Sequence, residues 1–344
     1  YDWTDNKVLV ELVFWLLAAI LIFAPLFRAG VLPIPLIMLE LASLVLIVMV
    51  LSSSNNGLRL TKAELVGIVG LLVLPLLYLV PLPSGVAGLF SGRDIYREAM
   101  MLAESQAVAG VDSLAIAPGI TEYGWFVLFL PLAVYLAVRS MDTAQIRQAV
   151  VVLFVIVAMQ AFLGLLQFGA GDGPFYLGME NADKSSAVGT YVSRNNYVGL
   201  LEMVLPITLA LFVATLGVRA DGTAGRRTLR QRLVFLSTFQ GHKAFIFGAL
   251  SVLILLAIVF SRSRAGIGVT MVGILIATLM FSNRLGGKNI YGITGTVVAV
   301  GIGFAINIGL APVLDRFSQD SVEDSRWTIF SHTLDGIGQF SPLG

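Results

Sequence analysis

Long, unbroken apolar runs constrain this chain more than any other feature. A helix that crosses a bilayer needs about 20 mostly apolar residues. Nine runs meet or approach that length: Val8–Phe27, Val31–Leu51, Leu65–Pro81, Tyr123–Val138, Ala149–Phe168, Tyr197–Gly217, Ala244–Phe260, Gly266–Phe281 and Ile290–Val313. Inside hydrocarbon every backbone N–H and C=O must find its partner within the chain, which leaves helices or a closed barrel. Barrel strands alternate apolar and polar residues, and these runs do not alternate. The expected fold class is all-α: a polytopic transmembrane helical bundle of nine spans, with short helices outside the membrane. Charge content agrees. Only 12% of the 344 residues are charged and 57% are hydrophobic, whereas a soluble domain carries about 25% charged residues. That balance excludes a water-soluble enzyme and intrinsic disorder. The net charge of +1 gives no basic surface for nucleic acid.

The placement of Lys and Arg sets the orientation. With a cytoplasmic N-terminus, thirteen of these residues fall in inner loops and nine in outer ones, and six of the thirteen lie within 218–243. This orients a multi-pass protein in an inner-type membrane with its N-terminus inside. Residues 1–313 then form the bundle, with outer loops at 82–122 and 170–196, and 314–344 make a third outer segment. Ala99–Ala109 reads as a short amphipathic helix at the interface. Ser321-Val322-Glu323-Asp324 reads as a capping signature for a helix ending near Gly336-Ile337-Gly338, with Trp327, Phe330, Leu334 and Ile337 on its apolar face. The start at Tyr1 and the stop after a Ser341-Pro342-Leu343 turn make the chain read as a fragment. Its opening segment lacks a small-residue cleavage site and reads as a retained span.

Chemistry must come from few residues. Cysteine is absent and histidine occurs twice, at His242 and His332, so no metal and no cofactor are expected. Glu11, Glu40 and Glu202 are carboxylates within apolar runs, where an ionised group costs at least about 2.5–3.5 kcal/mol. Glu40 reads as a packing residue, and Glu202 as a partner for an outer arginine. Arginine at the outer helix ends carries the stronger signal. Ser261-Arg262-Ser263-Arg264-Ala265-Gly266 is nearly the whole connection between two runs, and Arg194-Asn195-Asn196 opens another run on the same side. A guanidinium matches phosphate oxygens with two donors at once and stays charged. At a helix start it adds to the positive end of the dipole. Arg194, Arg262 and Arg264 together suit a lipid-linked phosphate or diphosphate, with Asn195 and Asn196 beside them. Arg326, next to Trp327, is a further candidate for lining a substrate cleft. His332 reads as a surface residue and His242 as part of a basic inner loop.

These same residues carry a resemblance. Gly189-Thr190-Tyr191-Val192-Ser193-Arg194-Asn195-Asn196, running into a span with Leu205-Pro206, resembles a motif of the O-antigen ligase and polymerase superfamily. Ser261–Gly266 is similar to that family's serine-arginine-glycine turn. Asp112-Ser113-Leu114 through Pro118 and Thr121 resembles the start of one of its spans, and Ser325-Arg326-Trp327 through Gly344 the start of its large periplasmic loop. The resemblance covers residues 80–344 and implies a metal-independent membrane glycosyltransferase. Such an enzyme takes a glycan from an undecaprenyl-diphosphate carrier, among membrane lipids, and passes it to a hydroxyl on lipid A–core. Polysaccharide polymerases and protein O-oligosaccharyltransferases of the superfamily share the donor. The resemblance implies that Arg194 and Arg264 are catalytic and that Arg262, Arg326, Asn195 and Asn196 bind diphosphate or glycan. In the family the loop continues to a histidine that acts on the acceptor, so this chain alone is expected to be inactive. A transporter or flippase for the same lipid would use the same arginines, but it also needs a matching inner site.

Overall fold

A computed structural model of the protein describes residues 2–27, 32–53, 58, 60–82, 112–115, 117–170, 186–215, 239–285, 295 and 325–340. The described residues are helical throughout, apart from loops and a two-residue pairing of strands β1 (Pro81–Leu82) and β2 (Asp112–Ser113). The helices are α1 (Asp2–Leu26), α2 (Pro33–Ser53), α3 (Lys62–Leu79), α4 (Pro118–Val127), α5 (Phe129–Ser140), α6 (Thr143–Ala170), α7 (Arg194–Thr215), α8 (Phe239–Phe260), α9 (Arg264–Leu285) and α10 (Ser325–Phe340). Among the described residues, seven segments are long and apolar enough to cross a membrane: Val8–Leu26, α2, α3, Pro118–Ser140, α6, α7 and Gly241–Phe260. Helix α9 is 22 residues long, and its apolar stretch Arg264–Ala277 is what the described side chains cover. The ninth run, Ile290–Val313, lies outside the described residues except for Gly295, as do Ala99–Ala109 and the Ser321–Asp324 capping signature.

The chain divides into two compact units, with Tyr1–Ile20, Leu36–Ile146 and Asp320–Gly344 in the first and Leu21–Pro35 and Arg147–Gln319 in the second. In the first unit, α3 opens with a capping box. Thr61 Oγ1 accepts from the Glu64 N–H, and the Glu64 carboxylate accepts from the Thr61 N–H. The same carboxylate accepts from the Tyr135 hydroxyl at 2.6 Å and pairs with Arg139 Nε at 3.1 Å, tying α3 to α5. Trp125 Nε1 donates to the Leu72 carbonyl at 3.0 Å, tying α3 to α4. The run Tyr123–Val138, which reads as one span, is two helices that meet at Leu128. Pro131 has no N–H for the Val127 carbonyl four residues back, so the ladder breaks there. Helix α10 forms where the sequence places a helix and continues to Phe340, with Phe330, Leu334 and Ile337 exposed.

In the second unit, α7 packs against both α8 and α9. Phe154, Val157 and Ala161 of α6, Tyr197, Val198, Leu201 and Leu205 of α7, and Ile254, Ala257, Ile258 and Phe260 of α8 form its core. Tyr197 is the largest fully buried side chain among the described residues. Its hydroxyl donates to the Gln160 carbonyl, and the absence of a side chain at Gly164 leaves room for its ring. Further along, Ser251 Oγ of α8 lies 3.0 Å from Thr208 Oγ1 of α7, a polar contact between two otherwise apolar faces.

Candidate functional site

The connection between α8 and α9 is only three residues long, Ser261–Ser263. Such a reversal strands the last carbonyls of the incoming helix unless the turn supplies donors. Here all four are satisfied. The Ala257 and Val259 carbonyls accept from the N–H groups of Ser261 and Arg262. The Ile258 carbonyl accepts from Ser261 Oγ at 2.6 Å, and the Phe260 carbonyl accepts from the Ala187 N–H at 3.0 Å. The negative end of α8 is thereby closed off. Arg262 takes the left-handed conformation that ends the helix, at φ 55°, where glycine is the usual occupant. Its guanidinium carbon sits 5.9 Å from the Phe168 ring centre, and its buried Nε has no hydrogen-bond partner among the described residues.

Ser263 begins α9. Its Oγ accepts from the Gly266 N–H at 3.1 Å and donates to Asn195 Oδ1, in the first turn of α7, at 2.7 Å. One turn into each helix, Gly266 faces Val198 with no room for a Cβ. A side-chain hydrogen bond and a glycine contact thus hold the starts of α7 and α9 side by side. Arg194 is the first residue of α7 and Arg264 the first of α9, and both are half-buried. The N–H groups of Asn195, Asn196 and Ala265 have no acceptor among the described residues. Two positive dipole ends, two guanidiniums and three open donors make an environment for an anion.

The loop before α7 is held from within the bundle. Gln160 Oε1 accepts from the Thr190 N–H at 3.0 Å, and Gln160 Nε2 donates to Thr190 Oγ1 at 2.9 Å. Gln167 Nε2 donates to the Gly189 carbonyl at 2.6 Å. The Thr190 hydroxyl donates to the Pro25 carbonyl. Gly189 stands at φ 58° with no space for a side chain, because Gln160 and Tyr197 close over it. Burial raises the pKa of the Tyr191 phenol, so this loop adds no phenolate charge near the arginines. Ser186, beside the Ala187 that bonds Phe260, is 2% exposed, and its Oγ has no partner among the described residues.

Of the residues read from the sequence, the structure gathers Arg194, Asn195, Asn196, Arg262 and Arg264 at one end of the second unit. Arg326 is the second residue of α10, in the other unit, and its side chain lies outside the described residues. His332 is exposed on α10. Glu202 does not pair with an arginine among the described residues: its Oε2 is buried without a partner, two turns into α7. Glu40 Oε1 in α2 is likewise without one. Among the described residues no three His, Asp or Glu side chains converge as metal ligands do. Gln160 and Gln167 are not among the sequence candidates, although a signal exists in two amides seven residues apart, hence on one face of an apolar helix. No protein-family model, curated protein or solved structure matches the chain.

Proposed function

We propose that this protein is a multi-pass glycosyltransferase of the bacterial inner membrane, of the O-antigen ligase kind. It takes a glycan from an undecaprenyl-diphosphate carrier at the periplasmic face and passes it to a hydroxyl of lipid A–core. In this reading the chain spans the membrane nine times from a cytoplasmic N-terminus. The observation that carries the reading is the pairing of Arg194 and Arg264 at two adjoining helix starts, linked by Ser263 and Asn195. In the transfer, the acceptor hydroxyl oxygen bonds to the anomeric carbon while the bond from that carbon to the diphosphate breaks, and the hydroxyl proton passes to the departing diphosphate or to water. Negative charge grows on the departing diphosphate, and guanidiniums already in place stabilise it without rearrangement. The closed carbonyl end of α8 keeps its opposing dipole from competing at this point. Asn196 and Arg262 flank the pair.

The test is transfer from undecaprenyl-diphosphate glycan to lipid A–core by the full-length protein in liposomes. Arg194→Ala and Arg264→Ala should each slow it by roughly 10²–10³-fold, the range for loss of one charge-stabilising donor. Full transfer by both variants refutes the assignment. Translocation of the lipid without glycan transfer refutes the enzyme in favour of a carrier.

A further inference from the structure

Helices α7 and α9 start together, run the same way and keep one register. Ser263 Oγ bonds Asn195 Oδ1, 68 positions earlier, and Gly266 meets Val198 at the same offset. Asn195, Val198 and Glu202 follow at i, i+3 and i+7 on α7, and Ser263, Gly266 and Thr270 do so on α9. Such residues share one helix face, so the next pair inward is Glu202 with Thr270. Both carry an unmet oxygen. Glu202 is half-buried and Thr270 is 6% exposed. Glu202 Oε2 and Thr270 Oγ1 are each buried without a hydrogen-bond partner among the described residues. A threonine within a helix commonly turns its hydroxyl onto a carbonyl three or four residues back, as Thr208 and Thr215 do in α7. Thr270 does not. Pro206 adds a third oxygen: it lies inside α7 without an N–H, so the Glu202 carbonyl loses its donor in the helix ladder. These oxygens stand in an apolar setting, with Ile267 and Ile274 beside Thr270 on the face of α9 that packs on the core.

We propose that Glu202 Oε2, Thr270 Oγ1 and the freed Glu202 carbonyl form a binding site for one dehydrated sodium ion between α7 and α9. The site stands apart from whatever Arg194 and Arg264 bind. Carboxylate, hydroxyl and carbonyl oxygens suit hard cations, and carbonyls released from a helical ladder serve that purpose inside membranes. Charge sets the valence. One carboxylate is neutralised by one monovalent ion, whereas a divalent ion leaves a net charge in hydrocarbon. Size sets the identity, because cavity width decides between like cations. Gly266 brings α9 hard against Val198 one turn away, which keeps the gap narrow and favours sodium over potassium. A proton is a poorer occupant, since Oε2 and Oγ1 make no hydrogen bond with each other. The other charged or titratable side chains of the helices packed here are Arg147 on α6, Arg194 and Tyr197 on α7, His242 and Lys243 on α8, and Arg264 and Arg284 on α9. None of them falls within a turn of Glu202 or of Thr270 along its own helix.

The experiment is thermal unfolding of the full protein in detergent, with sodium chloride exchanged for potassium or choline chloride at constant ionic strength. Equilibrium dialysis with radioactive sodium counts the bound ions. A ligand that binds only the folded state stabilises it saturably. Sodium should therefore raise the unfolding temperature by several degrees to a plateau, potassium less, and choline not at all. Glu202→Gln keeps the shape and removes the charge that needs the cation. In choline it should melt at or above the unmodified protein, and it should not respond to sodium. Thr270→Val, of nearly equal volume, should weaken sodium binding about tenfold, the scale of one contact to a charged group. Thr270→Ser should restore the affinity. Pro206→Ala returns an N–H to the Glu202 carbonyl and should weaken binding as well, although alanine favours the helix. Identical unfolding in sodium and choline overturns the proposal, as does a Glu202-dependent stability that follows pH and not sodium. A sodium response that survives Glu202→Gln overturns it too.

Discussion

Gly266→Ala is the sharpest single perturbation of the paired helix starts. An added Cβ would overlap Val198 Cγ1 and lie 2.9 Å from Val198 Cβ and 3.1 Å from Ser263 Oγ. Carbon atoms rest at about 3.5–4.0 Å, so α7 and α9 must part by about 1 Å here. Ser263 and Asn195 ride on the same two turns, and their 2.7 Å hydrogen bond would stretch beyond about 3.5 Å, where it no longer counts as one. Overpacking costs about 1–3 kcal/mol and the lost bond about 0.5–1.5 kcal/mol, together about 2–4 kcal/mol. Thermal unfolding in detergent should show a fall of several degrees, with diphosphate affinity falling alongside. Gly268→Ala is the control, because a Cβ there meets nothing within 4 Å and alanine favours the helix by about 1 kcal/mol. Val198→Ala in the Gly266→Ala background should restore part of the loss, by removing the worst overlap but not the 2.9 Å contact. If Gly266→Ala melts and binds like the unmodified protein, the tight crossing does not exist and the paired-arginine geometry fails with it.

Other consequences can be checked independently. The chain has no cysteine, so an Asn195→Cys, Ser263→Cys pair should be joined by a short thiol cross-linker. With a protease site placed within 218–238, the two halves should stay together after cleavage. Gln160→Leu leaves the buried Thr190 N–H without its acceptor and should destabilise by about 1–3 kcal/mol. Gln167→Leu strips a carbonyl of one bond and should lower the melting temperature less. Arg262→Gly removes a left-handed strain of about 1–2 kcal/mol against a lost ring contact of about 0.5–1 kcal/mol, so unfolding should occur at or slightly above the original temperature. Arg139→Ala breaks an exposed ion pair with Glu64 and should change stability by less than about 1 kcal/mol.

The helices are legible in the sequence because a spanning segment needs only length and apolarity, and neither depends on what it packs against. Where sequence and structure part, a local rule competes with that signal. Pro131 splits Tyr123–Val138 into α4 and α5, and a proline within an apolar run is a break that the residues alone can announce. The convergence of Arg194 with Arg264 is half legible. Their shared side follows from counting spans, but contact between α7 and α9 rests on Gly266 meeting Val198, a pairing between residues 68 positions apart. Gln160 and Gln167 escape notice because single amides in an apolar helix stand out less than charges. Yet they hold the loop that delivers Arg194.

The two arginines of one turn illustrate what only geometry separates. Arg262 and Arg264 are two residues apart and chemically identical, so the sequence offers both as anion ligands. Their backbones differ. Arg264 begins a helix, where a cation adds to a positive dipole end and is repelled by it unless an anion intervenes. Arg262 closes a helix in the left-handed region, with its guanidinium against Phe168 and Nε buried. An arginine that tolerates both strain and an unmet donor is better suited to shaping the turn than to meeting a ligand from solution. The reversal in three residues requires a left-handed position, and that position sets Ser263 where it can cap α9 and reach Asn195 at once. In this arrangement the first arginine builds the turn, the serine caps α9 and bonds Asn195, and the second arginine opens the next helix.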